Sequence, residues 1–229
     1  MAIKHLFFDL DHTLWDFERN AFECIEEIFD ENQALLPAGL NAKNFYDSFS
    51  KLNQSMWHQL DAKEITHEYL REHRFKNAFK ALGFEISKED SLAFDGYFLK
   101  KLPLKNYAIN GAIDLLNNLK GRFGLHIVSN GYLAIQTQKM QNAGLFHFFE
   151  HIVTYDVANS RKPEKAMYEH ALNLAQCTPD EVIMIGDSYI ADIVGAENAG
   201  IRAVHYDPSA TSEAKFQIQK LQDLHQFLD

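Results

Sequence analysis

Asp9 and Asp11 stand two residues apart where a short apolar run, residues 4–10, breaks into Asp11-His12-Thr13. If the backbone stays extended through them, alternation turns both carboxylates to one side. Carboxylates that close repel unless they share a proton or a cation. Val128-Ser129-Asn130-Gly131 ends a second apolar run through a glycine, where backbone N–H groups and the Ser129 hydroxyl form a cradle for an anion. Lys162 stands directly before Pro163 at an expected helix start, and another apolar run ends in Gly186-Asp187, followed by Ser188 and, five residues beyond Asp187, by Asp192. Each segment also has a plain structural reading, as a turn, a solvated lysine or a helix N-cap. Taken jointly they fit one reaction. Asp9, Asp11 and Asp187 make an oxygen-rich set suited to Mg²⁺, while Lys162, Ser129 and the amides of the Ser129-Asn130-Gly131 turn neutralise phosphate oxygens. Phosphoryl transfer needs little beyond positioning and charge neutralisation. An ionised aspartate is a competent nucleophile toward phosphorus, and Asp11 is placed to protonate the leaving oxygen and later take a proton from water.

The elements that must position these residues are a set of short apolar strands. Besides residues 4–10, the runs 125–128, 151–154, 182–185 and 203–206 read as buried strands. Helical patterns separate them: residues 112–120 after Asn110, 132–143 closed by Gly144, 163–175 with Pro163 in the first turn, and 190–199 closed by Gly200. This alternation predicts an α/β fold, a Rossmann-like parallel sheet covered on both faces, with ligands at the strand ends. Residues 16–101 break the rhythm. Phe17, Ala21, Ile25 and Ile28 recur at helical spacing, as do Phe45, Phe49, Leu52, Met56 and Leu60, then Ile65 and Tyr69; Ser87-Lys88-Glu89-Asp90 starts a further helix. The expected organisation is a core domain of residues 1–15 and 102–229 with an inserted all-helical domain of residues 16–101. The aromatics Phe45, Phe49, Trp57, Phe75, Phe79, Phe94 and Phe98 are expected to form the core of that insertion.

Composition bounds the partners. The 229 residues allow one domain plus an insertion, or two small domains. With 22 Lys+Arg against 32 Asp+Glu the net charge is −10, the wrong sign for nucleic acid or an anionic membrane surface. No apolar run approaches the roughly 18 residues of a membrane span, and Asp9 follows the opening residues too soon for a signal peptide, so a cytoplasmic protein is expected. Cys24 and Cys177 have no CxxC pattern and no histidine at ligand spacing, so neither a disulfide framework nor a zinc site is indicated by them. The expected partner is a small phosphate ester, with the chain a monomer or homodimer.

Asp9-x-Asp11-x-Thr13, Ser129-Asn130, Lys162-Pro163 and Gly186-Asp187-x-x-x-x-Asp192, in this order, resemble the four motifs of the haloacid dehalogenase-like (HAD) hydrolase superfamily. The resemblance spans the chain and puts the helical insertion where that superfamily carries a C1-type cap, which closes over the core, excludes water and selects the leaving group. It implies that Asp9 is the nucleophile forming an aspartyl-phosphate and Asp11 the general acid/base, whose main-chain carbonyl also reaches the metal. It further implies that Ser129 and Lys162 bind phosphate, with Asn130 beside them, and that Asp187 completes the Mg²⁺ site. Thr13, Ser188 and Asp192 are supporting residues, Asp192 holding Lys162 or a metal-bound water. A dehalogenase lacks the second aspartate, so Asp11 implies a phosphatase. Thr13-Leu14-Trp15-Asp16-Phe17 and Ser129-Asn130-Gly131-Tyr132 with a Gln-rich helix after it are similar to the YjjG-like pyrimidine 5′-nucleotidase subgroup. His12 stands where many relatives have glycine, and Leu102-Pro103-Leu104-Lys105-Asn106-Tyr107 is longer than their Pro-Gly hinge. The implied activity is a Mg²⁺-dependent phosphomonoesterase, with a pyrimidine nucleoside 5′-monophosphate as leading substrate. The alternatives are a phosphosugar or phosphoglycolate phosphatase, a phosphomutase, or a non-catalytic module that binds phosphometabolites.

Overall fold

The structure, a computed structural model, describes residues 2–228. Met1 and Asp229, at the ends of the expected core domain, lie outside the described residues. Among the described residues a six-stranded parallel sheet comprises β1 (His5–Phe8), β2 (Gly124–Ser129), β3 (His151–Thr154), β4 (Val182–Gly186), β5 (Arg202–Tyr206) and β6 (Gln217–Ile218). Its order is β3-β2-β1-β4-β5-β6. The chain therefore runs from β1 through β2 to β3 on one side and crosses back to β4 on the other, and the carboxyl ends of β1 and β4 flank a topological switch point where such sheets bind ligands. Register is set residue by residue: Phe8 lies opposite Ile127 on one side and Ile185 on the other. The central strands β1 and β4 are largely apolar, as expected where helices cover both faces of a parallel sheet. Five of the six strands match the expected apolar runs. β6, two residues long, carries too little pattern to be read from sequence.

The chain falls into two compact units, one of Met1–Phe17 with Asn106–Asp229 and one of Glu18–Lys105. Helices α1 (Phe17–Glu31), α2 (Ala42–Asp61), α3 (His67–Ala81) and α4 (Lys88–Lys101) build the second unit. Three of them start on side-chain caps, with Asn41, Thr66 and Ser87 accepting from the amides of Asn44, Tyr69 and Asp90. The core of this unit is aromatic: the Phe45 ring centre lies 5.0 Å from that of Phe29 and 4.7 Å from that of Phe79, and Phe49 meets Phe75 at 5.0 Å. Trp57 is only partly buried, against the smaller cluster of Met56, Leu60 and Leu70. The expected Ile65–Tyr69 face is not the buried one. Ile65 precedes the Thr66 cap and Tyr69 is exposed, while α3 buries Leu70, Phe75, Ala78 and Phe79 around Arg74. Arg74 hid this face from the sequence pattern, because its charge is buried only by pairing with Asp95, Nε to Oδ1 at 2.6 Å.

In the sheet unit the helices are α5 (Ala112–Leu119), α6 (Leu133–Asn142), α7 (Tyr155–Ala158), α8 (Lys165–Ala175) and α9 (Gly195–Asn198). One face of the sheet, through Phe7, Val128, Val153, Met184 and Ala203, packs on Met167, Tyr168 and Ala171 of α8 and on Ala196 of α9. Two elements differ from expectation. Helix α8 begins at Lys165, leaving Pro163 outside it. Residues 190–199 are not one regular helix; a π-helical turn, Tyr189–Val194, runs into α9. Asp192 lies in that turn. At the amino end of the sheet, burial beside the His5 and His151 imidazoles pushes His126 down to about 3.

Candidate active site

The site is built where β1 and β4 end. Asp9 follows β1 directly and its amide still donates to Ile185 O at 2.9 Å, so the ladder to β4 carries it one residue beyond the strand. The chain then folds on itself: the amides of Leu14 and Trp15 both donate to Leu10 O, at 2.9 and 2.8 Å, and His12 takes a left-handed backbone at φ 62°. Glycine accepts that conformation most readily and histidine is among the residues that tolerate it. The turn begins at Leu10, and the Asp11 carboxylate is taken up by Lys139 and Gln136 while its charge still acts on Asp9.

Asp9 instead meets Lys162, whose Nζ donates to Asp9 Oδ1 at 2.5 Å and to Asp192 Oδ1 at 2.6 Å. The Ser188 amide donates to the second oxygen of Asp192 at 3.0 Å, so both Asp192 oxygens are engaged. Gly186 makes the approach of Asp192 feasible, since a Cβ there would lie 2.2 Å from Asp192 Oδ2. The Ser188 hydroxyl accepts from the Ala191 amide at 3.2 Å, capping the π-helical turn. The Thr13 hydroxyl donates to Asp187 Oδ1 at 3.1 Å. Asn130 clamps the lysine's main chain: its amide nitrogen donates to Lys162 O at 3.0 Å and its carbonyl accepts from the Lys162 amide at 2.8 Å.

Asp9, Asp187 and Asp192 each offer a carboxylate oxygen within 4.8 Å of the others. Three such charges against one ammonium leave an excess of two negative charges in a buried space. Burial, with the charge of Asp192 added, pushes Asp9 up to about 7 against the pull of Lys162. Burial and the charge of Asp9 push Asp187 up to about 6. Burial pushes Asp192 up as well. Burial alone would lower Lys162, but Asp192 and Asp9 outweigh it and hold its ammonium charged. An all-oxygen set carrying uncompensated charge is what a hard dication neutralises, so the residues fit Mg²⁺.

Asp11 is engaged by a different pair of side chains. Lys139 Nζ donates to its Oδ1 at 2.7 Å and Gln136 Nε2 to its Oδ2 at 2.8 Å. The same Gln136 nitrogen donates to the Ser129 hydroxyl at 2.7 Å, which ties Ser129 to Asp11 through one side chain. Lys139 is buried, with Nζ 4.6 Å from the Trp15 ring centre. Burial would raise the Asp11 carboxyl, but Lys139 and the Gln136 amide hold it below its ordinary value. Sequence reasoning missed Gln136 and Lys139. Their spacing of three on α6 puts them on one helix face and was the available signal. It also missed His205, whose Nε2 lies 2.7 Å from Asp187 O and whose Nδ1 lies 2.5 Å from the Ser212 hydroxyl.

A family model described as haloacid dehalogenase-like hydrolase matches residues 3–200. Among curated proteins, the pyrimidine 5′-nucleotidase PynA of Streptococcus pneumoniae (strain ATCC BAA-255 / R6) is 31% identical, over 100% of this chain and 96% of that protein. The pyrimidine 5′-nucleotidase YjjG of Escherichia coli (strain K12) is 27% identical over 97% of this chain and 96% of that protein. Among solved structures, the HAD-hydrolase YfnB of Bacillus subtilis bound to magnesium superposes with a TM-score of 0.88 at 27% identity, covering 100% of this chain and 99% of that one.

Proposed function

The chain belongs to the haloacid dehalogenase-like hydrolase family, and from that premise we propose that it is a Mg²⁺-dependent phosphomonoesterase acting on pyrimidine nucleoside 5′-monophosphates through an aspartyl-phosphate on Asp9. The observation that carries the reading is the buried contact of Lys162 Nζ with Asp9 Oδ1, 2.5 Å, beside Asp187 at the switch point of the sheet. The pyrimidine preference rests on the full-length similarity to PynA and YjjG.

Asp9 and Asp187 would hold the ion, since Asp192 has both oxygens engaged by Lys162 and Ser188. Bound there, Mg²⁺ supplies charge neutralisation for the phosphoryl group. Asp9 forms the new bond to phosphorus as the ester oxygen departs, and Lys162 balances charge on the phosphoryl oxygens. Asn130 acts through Lys162 by clamping its peptide, and the Ser129 hydroxyl faces the phosphate. Asp11 gives a proton to the leaving oxygen and then takes one from the water that cleaves the aspartyl-phosphate. As found, Asp11 is ionised by Lys139, the form required for that second step; the first step needs the contact loosened. The helical unit, inserted after the first strand, serves in this reading as a C1-type cap.

The test is phosphate release from a panel of pyrimidine and purine monophosphates, sugar phosphates and phosphoglycolate, each with Mg²⁺ and with EDTA. Release confined to pyrimidine monophosphates and abolished by EDTA is expected. EDTA-sensitive release from sugar phosphates alone would keep the chemistry and overturn the substrate.

A further inference from the structure

Three imidazoles meet near the amino end of the sheet, away from Asp9 and Asp187. His126 on β2 is in register with His151 on β3 and with Phe7 on β1, so alternation puts His5, His126 and His151 on one face. Gly124, paired with His5, leaves room for them: a Cβ there would lie 2.4 Å from His5 Nδ1 and 3.0 Å from His126 Nε2. His5 Nδ1 and His126 Nε2 are 3.0 Å apart. The other ring nitrogen of His126, Nδ1, is buried with no hydrogen-bond partner among the described residues, in a residue only 1% exposed. Buried polar atoms are rarely left so, because the desolvation is not offset. A ring nitrogen of His126, one of His151 and a carboxylate oxygen of Glu150 all lie within 4.8 Å of one another.

We propose that His126, His151 and Glu150 form a second metal site, selective for a divalent late first-row transition ion such as Zn²⁺, with His5 fixing the His126 tautomer. Two imidazoles and one carboxylate are a borderline-soft donor set that suits zinc, whereas Mg²⁺ demands oxygens. When His126 Nε2–H donates to His5 Nδ1, the unpartnered Nδ1 presents a bare lone pair; metal-bound histidines are held in this way by a partner on the other nitrogen. The donors grade from buried His126 through half-buried His151 to exposed Glu150, so an ion reaches the site from solvent and keeps water in its open positions. The site is also placed to brace the sheet. β3 is an edge strand, and the ion would tie its first residue, His151, to β2. Binding confined to the folded state raises stability. None of these residues belongs to the carboxylate cluster, so the two sites are separable.

The experiment is calorimetric titration of Zn²⁺ into the full chain in excess Mg²⁺, with thermal unfolding alongside, for the native protein, His151→Ala, Glu150→Gln and His5→Ala. His151 and Glu150 reach the surface, and an unchanged Tm without zinc shows that their variants fold. Expected are one more zinc bound by the native protein than by His151→Ala, a zinc-dependent rise in Tm lost in His151→Ala and reduced in Glu150→Gln, and affinity about tenfold or more weaker in His5→Ala. Equal zinc uptake and equal Tm shifts in the native protein, His151→Ala and Glu150→Gln would overturn the proposal, since any zinc would then sit on the catalytic carboxylates.

Discussion

Lys162 Nζ lies 2.5 Å from Asp9 Oδ1 and turns its other contact, at 2.6 Å, to Asp192. The lysine thus aims one oxygen of the proposed nucleophile while Asp192, fixed by the Ser188 amide, holds the lysine. Replacing Lys162 by Met leaves three mutually repelling carboxylates and no cation for the phosphoryl oxygens. Lys162→Met is expected to lower kcat by roughly 10²–10³, the usual cost of removing one charge-stabilising donor. Steady-state phosphate release measures it; a loss under tenfold would remove Lys162 from the chemistry.

Proton linkage gives a second expectation. Asp9 and Asp187 are raised from 3.8 to about 7 and about 6 when folded. Burial and the charges of Asp192 and Asp11 raise Asp9 against the pull of Lys162. Burial and the charge of Asp9 raise Asp187 against the pull of His12, Lys162 and the Thr13 hydroxyl. The folded protein without metal therefore binds more protons than the unfolded chain between these values. This contribution to stability is complete below 3.8 and is lost as pH rises through about 6 to 7. In EDTA, urea midpoints should fall from about pH 5 to about pH 7.5 more steeply in the native protein than in Asp9→Asn, and Mg²⁺ should flatten the fall. Parallel profiles with no Mg²⁺ effect would contradict the metal assignment.

Lys139 keeps Asp11 ionised. Lys139→Met releases that carboxyl toward a higher value, so the pH profile of kcat/KM should move to higher pH, with the shift absent in an Asp11→Asn background. An unmoved profile would mean that Asp11 does not carry the proton.

Within the helical unit, Asp95 is fully buried and pairs with both Arg74, at 2.6 Å, and Arg71, at 2.9 Å. Removing it strands the buried Arg74 guanidinium, which also lies over the Phe98 ring with its central carbon 4.9 Å from the ring centre. Asp95→Ala is expected to cost about 3–5 kcal/mol in urea unfolding. A cost below about 1 kcal/mol would show that Arg74 finds solvent.

Much of this architecture was legible in the chain because parallel strands are buried on both faces and read as unbroken apolar runs such as Val182–Gly186. The aromatic core of the insertion followed from helical spacing at Phe45, Phe49, Phe75 and Phe79. What could not be read depends on contacts distant in sequence. Arg74 sits on a buried face only because Asp95, 21 residues away, neutralises it. Asp11 is held by Lys139, 128 residues on, a contact that local spacing does not show. The π-helical turn at Tyr189–Val194 carries Asp192, and spacing alone does not reveal its contacts with Lys162, 30 residues before it in the chain, and with the Ser188 amide.

The central claim is that Asp9 takes the phosphoryl group. It is tested most directly by acid-quenching the protein during turnover of phosphate-labelled uridine 5′-monophosphate with Mg²⁺ and locating the label by peptide mapping, beside Asp9→Asn. Label on the peptide containing Asp9, with no label and no turnover in a folded Asp9→Asn, is the expected result. Native-rate phosphate release by Asp9→Asn would contradict the account.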